Sequence, residues 1–115
     1  MGKHQLGEFE EVVMLTVGVL HGNAYGVSIK NEIESRLQRK VSVGALQSAL
    51  KRLEDKGFLS AKDGESSAER RGRPKRFYRL TAMGAKAIND VRDARNSLYN
   101  DIPRVAWEVN VSDHG

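Results

Sequence analysis

Apolar positions along the first half of the chain recur at helical spacing. Phe9, Val12, Val13, Thr16, Val17 and Leu20 form one such series, so a helix is expected from about Leu6 to Leu20. Glu8, Glu10 and Glu11 fall in its first turn, where the helix dipole favours acids, and His21-Gly22-Asn23 stops it. Tyr25, Ile29, Ile33 and Leu37 recur every four residues and predict a second helix from Ala24 or Tyr25 to Leu37, closed by the basic stretch Arg36 to Lys40. A third helix opens at Val41-Ser42 with Ser42 as N-cap, buries Leu46, Ala49, Leu50 and Leu53, and ends at Lys56-Gly57. The glycine there suits a left-handed helix terminus.

After Gly57 the period changes. Phe58 to Lys62 reads as a short strand, and Asp63 to Pro74 as a polar turn. Lys75 to Leu80 alternates, with Arg76, Tyr78 and Leu80 on one face and Phe77 and Arg79 on the other. Two strands around a basic loop make a hairpin, and a hairpin directly after a helix-turn-helix is a wing. Thr81 then caps a last helix. Its apolar stripe is Ala87 or Ile88, Val91, Ala94, Leu98, Ile102 and Val105, and Lys86, Asn89, Asp90, Arg92, Asp93 and Asn96 form its polar side. Pro103 should kink or end the regular helix near Asp101. The expected fold is α+β, mostly α: a winged helix-turn-helix over 6–80, a C-terminal dimerisation helix over 81–109, and a disordered tail over 110–115.

Composition narrows the function. The 115 residues suit one domain with an accessory element. Cysteine is absent, which removes disulfides, thiolate metal sites and a cysteine nucleophile, and fits a cytoplasmic protein. No apolar run approaches membrane-spanning length, Met1 to Gln5 lacks an apolar signal core, and Leu6 stands where a myristoylation signal needs Ser or Thr. His4, His21 and His114 are dispersed, so no metal or other cofactor is expected. Neither a phosphate-loop fingerprint nor a nucleophile elbow is present, and an enzyme is not expected.

The net charge of +4 says little, but its distribution says more. Arg70, Arg71, Arg73, Lys75, Arg76 and Arg79 place six cations and no acid within ten residues, leaving the rest of the chain slightly acidic. A local stripe on a near-neutral body points to a polyanion touched at one place. On the third helix, the side opposite Leu46, Leu50 and Leu53 carries Gly44, Gln47, Ser48 and Lys51. Glutamine can read adenine, lysine can reach guanine or phosphate, and small residues admit close approach. An ordinary solvated face explains the same pattern.

Three ordered pieces of the chain together resemble the PadR family of bacterial transcriptional regulators. They are Ala24-Tyr25-Gly26, Ser42 to Gly57, and Arg73 to Gly84, within a similarity running from about Leu6 to Leu98. The short C-terminal part resembles the subgroup with a single dimerisation helix. The resemblance implies a homodimeric repressor on an inverted-repeat operator in double-stranded DNA, with helix 42–56 in the major groove and wing 64–76 at the backbone or minor groove. The DNA-facing set would be Tyr25, Ser42, Gly44, Gln47, Ser48, Lys51, Arg70, Arg71, Arg73, Lys75 and Arg76. The dimer seam would be Ile88, Val91, Ala94, Leu98, Ile102 and Val105. Some relatives respond to aromatic or drug-like ligands, which admits a small aromatic effector beside Trp107. Simple packing of Trp107 as an anchor of the C-terminal segment on the core is the plainer reading. The family usually carries tyrosine where this chain has Gln47, so Gln47 either forgoes a backbone contact or reads a base. Two further readings are a winged-helix module docking on an acidic protein and a non-specific nucleoid-type binder.

Overall fold

A computed structural model describes residues 6–66 and 74–108. The element order is α1 (Glu8–Val19), α2 (Gly26–Leu37), α3 (Val43–Asp55), β1 (Leu59–Ser66), β2 (Pro74–Leu80), α4 (Ala82–Asn100) and a short α5 (Arg104–Trp107). The strands pair antiparallel, with Leu59 opposite Leu80 and Asp63 opposite Arg76. Three helices, a two-stranded wing and a long C-terminal helix form a winged helix-turn-helix, as the patterning predicts.

The core lies where α1, α2 and α3 meet the root of the hairpin. Val13, Met14 and Val17 of α1, Ile29 and Ile33 of α2, and Leu46, Leu50 and Leu53 of α3 are buried together with Phe58, Leu59 and Tyr78. The α3 stripe matches the expected one residue for residue. On α2 the stripe stops one step early. Leu37 is exposed, because the next residue, Gln38, turns into the left-handed region (φ 53°) and carries the chain off the core.

Local chemistry sets the helix ends. The Ser28 hydroxyl accepts from the Tyr25 N–H (2.9 Å) and donates to the Asn23 carbonyl (2.7 Å), so α2 starts with its own third residue closing the cap. Ser42 Oγ accepts from the Ala45 N–H at 3.0 Å and starts α3 as expected. Between them, Glu34 accepts from the Val41 N–H at 2.9 Å and pairs with Lys30 at 3.2 Å, tying α2 to the turn into α3. These contacts hold the Glu34 carboxyl below its ordinary value.

The hairpin is longer than its sequence suggests. β1 runs to Ser66 rather than ending at Lys62, so Gly64 lies in a strand and not in the turn. The Phe77 ring covers the place a Cβ on Gly64 would need, and a ring over a strand glycine supplies the packing that the missing side chain does not. The ladder becomes irregular after Asp63. The hairpin root is also bonded to the helical body: the Tyr78 N–H donates to the Ala24 carbonyl at 2.8 Å, and Tyr25 bridges to Phe77.

Thr81 joins three elements. Its hydroxyl accepts from the Gly84 N–H (2.9 Å) and donates to the Gly57 carbonyl (2.6 Å). Gly84 sits so close to the Phe58 backbone that any Cβ there would collide with the Phe58 carbonyl. From this anchorage α4 packs Ala87 and Ile88 against the core and then leaves it. Every residue from Arg92 to Glu108 is exposed, including Leu98, Tyr99, Val105 and Trp107. The helix ends at Asn100, three residues before Pro103, so the expected 81–109 element is α4 followed by the single turn of α5. Residues 110–115 lie outside the described residues.

Candidate nucleic-acid interface

The surface that could meet a polyanion is built from α3, the N-terminus of α2 and the root of the wing. With Leu46, Ala49, Leu50 and Leu53 committed to the core, helical geometry turns Gly44, Gln47, Ser48 and Lys51 outward, and all four are exposed. No atom comes within 4 Å of where a Cβ on Gly44 would stand, so this stretch of α3 is open to a close partner. Lys51 keeps a loose pairing with Asp55 (3.7 Å) at high exposure. A solvated i,i+4 pair of this kind is weak enough to exchange for a phosphate.

Val43 belongs to the same surface, although its sequence does not mark it out. It is 61% exposed in the first turn of α3, one helical turn before Gln47, and extends the outward row to Val43, Gln47 and Lys51. A valine reads as a core residue in a sequence, and only the packing shows that it faces solvent.

Gln47 of α3 lies beside Gly26 at the start of α2. A Cβ on Gly26 would stand 3.3 Å from Gln47 Nε2, so the absence of a side chain at Gly26 gives Gln47 its place. Tyr25 is half-buried as the N-cap residue of α2, with its ring edge-on to Phe77 at 5.5 Å between centroids. Lys75 lies over the same ring, its Nζ 4.2 Å from the centroid. Tyr25 and Gln47, with Val27, Lys30, Pro74 and Arg76, line a notch of about 220 Å³ between helix and wing. The structure thus brings Tyr25, Gln47 and Arg76 to one notch, with Lys75 over the Tyr25 ring and Ser42 at the start of α3.

Arg76 is engaged within the protein. Its Nη2 lies 2.7 Å from Glu54 Oε2 on α3, and its Nη1 lies 3.5 Å from Asp63 Oδ1 on β1. Desolvation would lower the Arg76 pKa, but Glu54 outweighs it and raises the value. Burial pushes the neighbouring Tyr78 phenol up. Arg70, Arg71 and Arg73 lie outside the described residues.

At the back of α3, Glu10 of α1 accepts from the Gly7 N–H (3.0 Å) and pairs with Arg52 (2.9 Å) and Lys56 (3.0 Å) of α3. Sequence suggests only a dipole-matched acid here. The cross-helix partners lie more than forty residues away and become visible only in three dimensions. Burial alone would raise the Glu10 pKa, but the hydrogen bonds from Gly7, Arg52 and Lys56 prevail and lower it to about 2.

On the far side, α1 and α4 form a groove of about 320 Å³ lined by Leu15 and Ile88 and rimmed by Glu11 and Arg95, which pair at 3.0 Å. Of the expected seam residues, Ile88 and Val91 are partly buried within the chain, while Ala94, Leu98, Ile102 and Val105 are uncovered. Trp107 packs on Tyr99 of α4 at 5.2 Å between centroids and is 53% exposed, so it anchors α5 to α4 and not to the core. Among the described residues, no helix is long and apolar enough to cross a membrane.

This geometry defines the class as a winged helix-turn-helix protein with a long C-terminal helix. The model of the transcriptional regulator PadR-like family matches residues 16–90, and the chain belongs to that family of transcription factors, which are not enzymes. Among solved structures it is similar to a PadR-like transcription factor from Bacteroides fragilis (26% identity, 82% of this chain and 85% of that chain, TM-score 0.68). A PadR family transcriptional regulator from Eggerthella lenta shares the fold (22% identity, 90% and 88%, TM-score 0.66). So does Bacillus subtilis PadR, solved in complex with operator DNA (19% identity, 75% and 47%, TM-score 0.61). The chain therefore spans about half of that last protein. No curated protein matches the chain in sequence.

Proposed function

We propose that this protein binds specific double-stranded DNA as a homodimer and represses transcription from an inverted-repeat operator. The observation that carries this reading is the outward row Val43, Gln47 and Lys51, flanked by Gly44 and Ser48, set beside a wing root that carries Lys75. A reading helix presents small, hydrogen-bonding and cationic groups to base edges, and the adjacent wing supplies cations for the backbone. The operator complex of the fold relative from Bacillus subtilis supports the same use of this architecture.

In this reading Gln47 and Lys51 meet bases, Val43 meets a thymine methyl group, and Ser42, Tyr25 and Lys75 meet the backbone. Arg70, Arg71 and Arg73 of the wing belong with the backbone set by their charge. The uncovered face of α4 is the dimer seam, and it sets two reading helices about 34 Å apart, one DNA turn. Trp107 and Tyr99 are where a small planar aromatic effector would stack if one is bound. Selection of bound duplexes from a random pool tests the proposal. A palindromic consensus with two half-sites about one turn apart is expected, and enrichment of no sequence at all would overturn it.

A further inference from the structure

We propose that Arg76 is a positioning residue and not a DNA contact: its guanidinium, forked between Glu54 on α3 and Asp63 on β1, sets the angle at which the wing leaves the reading helix. This inference rests on the DNA-binding reading above.

Its place in the hairpin is the first support. Asp63 and Arg76 form the last regular rung of the ladder before its irregularity, so the outer part of the paired strands departs from this rung. Glu54 lies in the last turn of α3, on the helix that carries the reading row. The 2.7 Å contact therefore joins the last straight rung of the wing to the end of the reading helix. The Tyr78–Ala24 hydrogen bond and the Tyr25–Phe77 bridge tie β2 to the start of α2 instead. The Arg76 fork adds α3 as a second bearing.

Local charge is the second support. One guanidinium lies between two carboxylates, so the cluster sums to one negative charge. A phosphate approaching Arg76 would meet Glu54 and Asp63 as well. Lys75, the preceding residue, instead holds its ammonium over the Tyr25 ring, and among the described residues no acid pairs with it at salt-bridge distance. Adjacent residues of one strand point to opposite faces, so the two cations have different surroundings: Lys75 stands over the Tyr25 ring, and Arg76, on the side of the notch, is held by Glu54 of α3.

Glu54→Gln separates the two roles, because it removes an acid near the DNA and also removes the partner of Arg76. The full chain is titrated against the duplex selected by the unaltered protein, at several salt concentrations. If Arg76 positions the wing, Glu54→Gln and Arg76→Ala each weaken binding by about three- to fivefold, the size of a partly exposed ion pair. The double variant is then no weaker than Arg76→Ala alone, and the salt slopes stay parallel to that of the unaltered protein. If Arg76 touches phosphate, Glu54→Gln binds as tightly or more tightly, and Arg76→Ala flattens the slope by about one. Either of those results overturns the proposal. Should Arg76→Ala fail to fold, Glu54→Gln decides the matter alone. If the unaltered protein prefers no duplex, the DNA-binding reading fails and the strut is without a function, a result distinct from the variant outcomes.

Discussion

Glu10 of α1 and Arg52 of α3 are joined at 2.9 Å, with Lys56 completing the clamp one turn further along α3. Both cations hold the rear of α3 to α1, the helix that lines the groove with α4. The carboxylate is nearly inaccessible, so the contact is shielded from salt better than the other ion pairs on this surface.

Glu10→Gln should therefore destabilise the fold by about 2 kcal/mol at neutral pH, as loss of a charge-assisted network does. The pH dependence follows from the lowered pKa of about 2. A carboxyl depressed in the folded state contributes stability that is fully present above its unfolded value, about 4.3, and is lost as pH falls through the folded one. Urea denaturation of both proteins should show a constant gap from pH 7 to about 5 that closes towards pH 2. A gap that persists unchanged at the acid end would show that the substitution acts through packing.

Lys51→Ala and Gln47→Ala should harm binding to the selected operator more than binding to random DNA, because both side chains stand on the outward row of α3 that the proposed function assigns to base contacts. A loss of about 1–3 kcal/mol for a base-reading contact is the expected scale. Competition titrations measure the ratio. Equal losses on operator and random duplex would reassign both residues to the backbone.

Val43 offers a test that needs no change in charge. Replacing thymines of the selected half-site by uracil removes only the 5-methyl groups. At one position this should weaken the unaltered protein and leave Val43→Ala indifferent, since an apolar contact requires both partners. If every position leaves the unaltered protein unaffected, Val43 reads no methyl group.

Leu98 is 73% exposed on α4, and a dimer would cover it. Leu98→Asp would then place a charge in an apolar seam, and sedimentation at micromolar concentration should show a monomer where the unaltered protein gives a dimer. A sedimentation profile the same for both would move the seam elsewhere. Because the residue makes no core contact, the variant's melting should lose only the part that depends on concentration.

Much of this was written in local pattern. The α3 stripe, the Ser42 and Thr81 caps and the stop before Pro103 each follow from spacing or from a side chain bonding its own backbone. Such features depend on neighbours within one turn, so the linear order contains them. The same order puts Gly44, Gln47, Ser48 and Lys51 on one outward side. Other features depend on groups far apart in the chain. Glu10 meets Arg52, Gly84 meets Phe58, Phe77 covers Gly64, and Val43 is left outside because the core closes without it. Arg76 shows the division best. As a letter it is one of six cations in a basic stripe, and charge alone assigns it to a polyanion. Only the packing of α3 beside the hairpin brings Glu54 to within 2.7 Å of its guanidinium, a pairing that depends on distance in space and not on order in the chain.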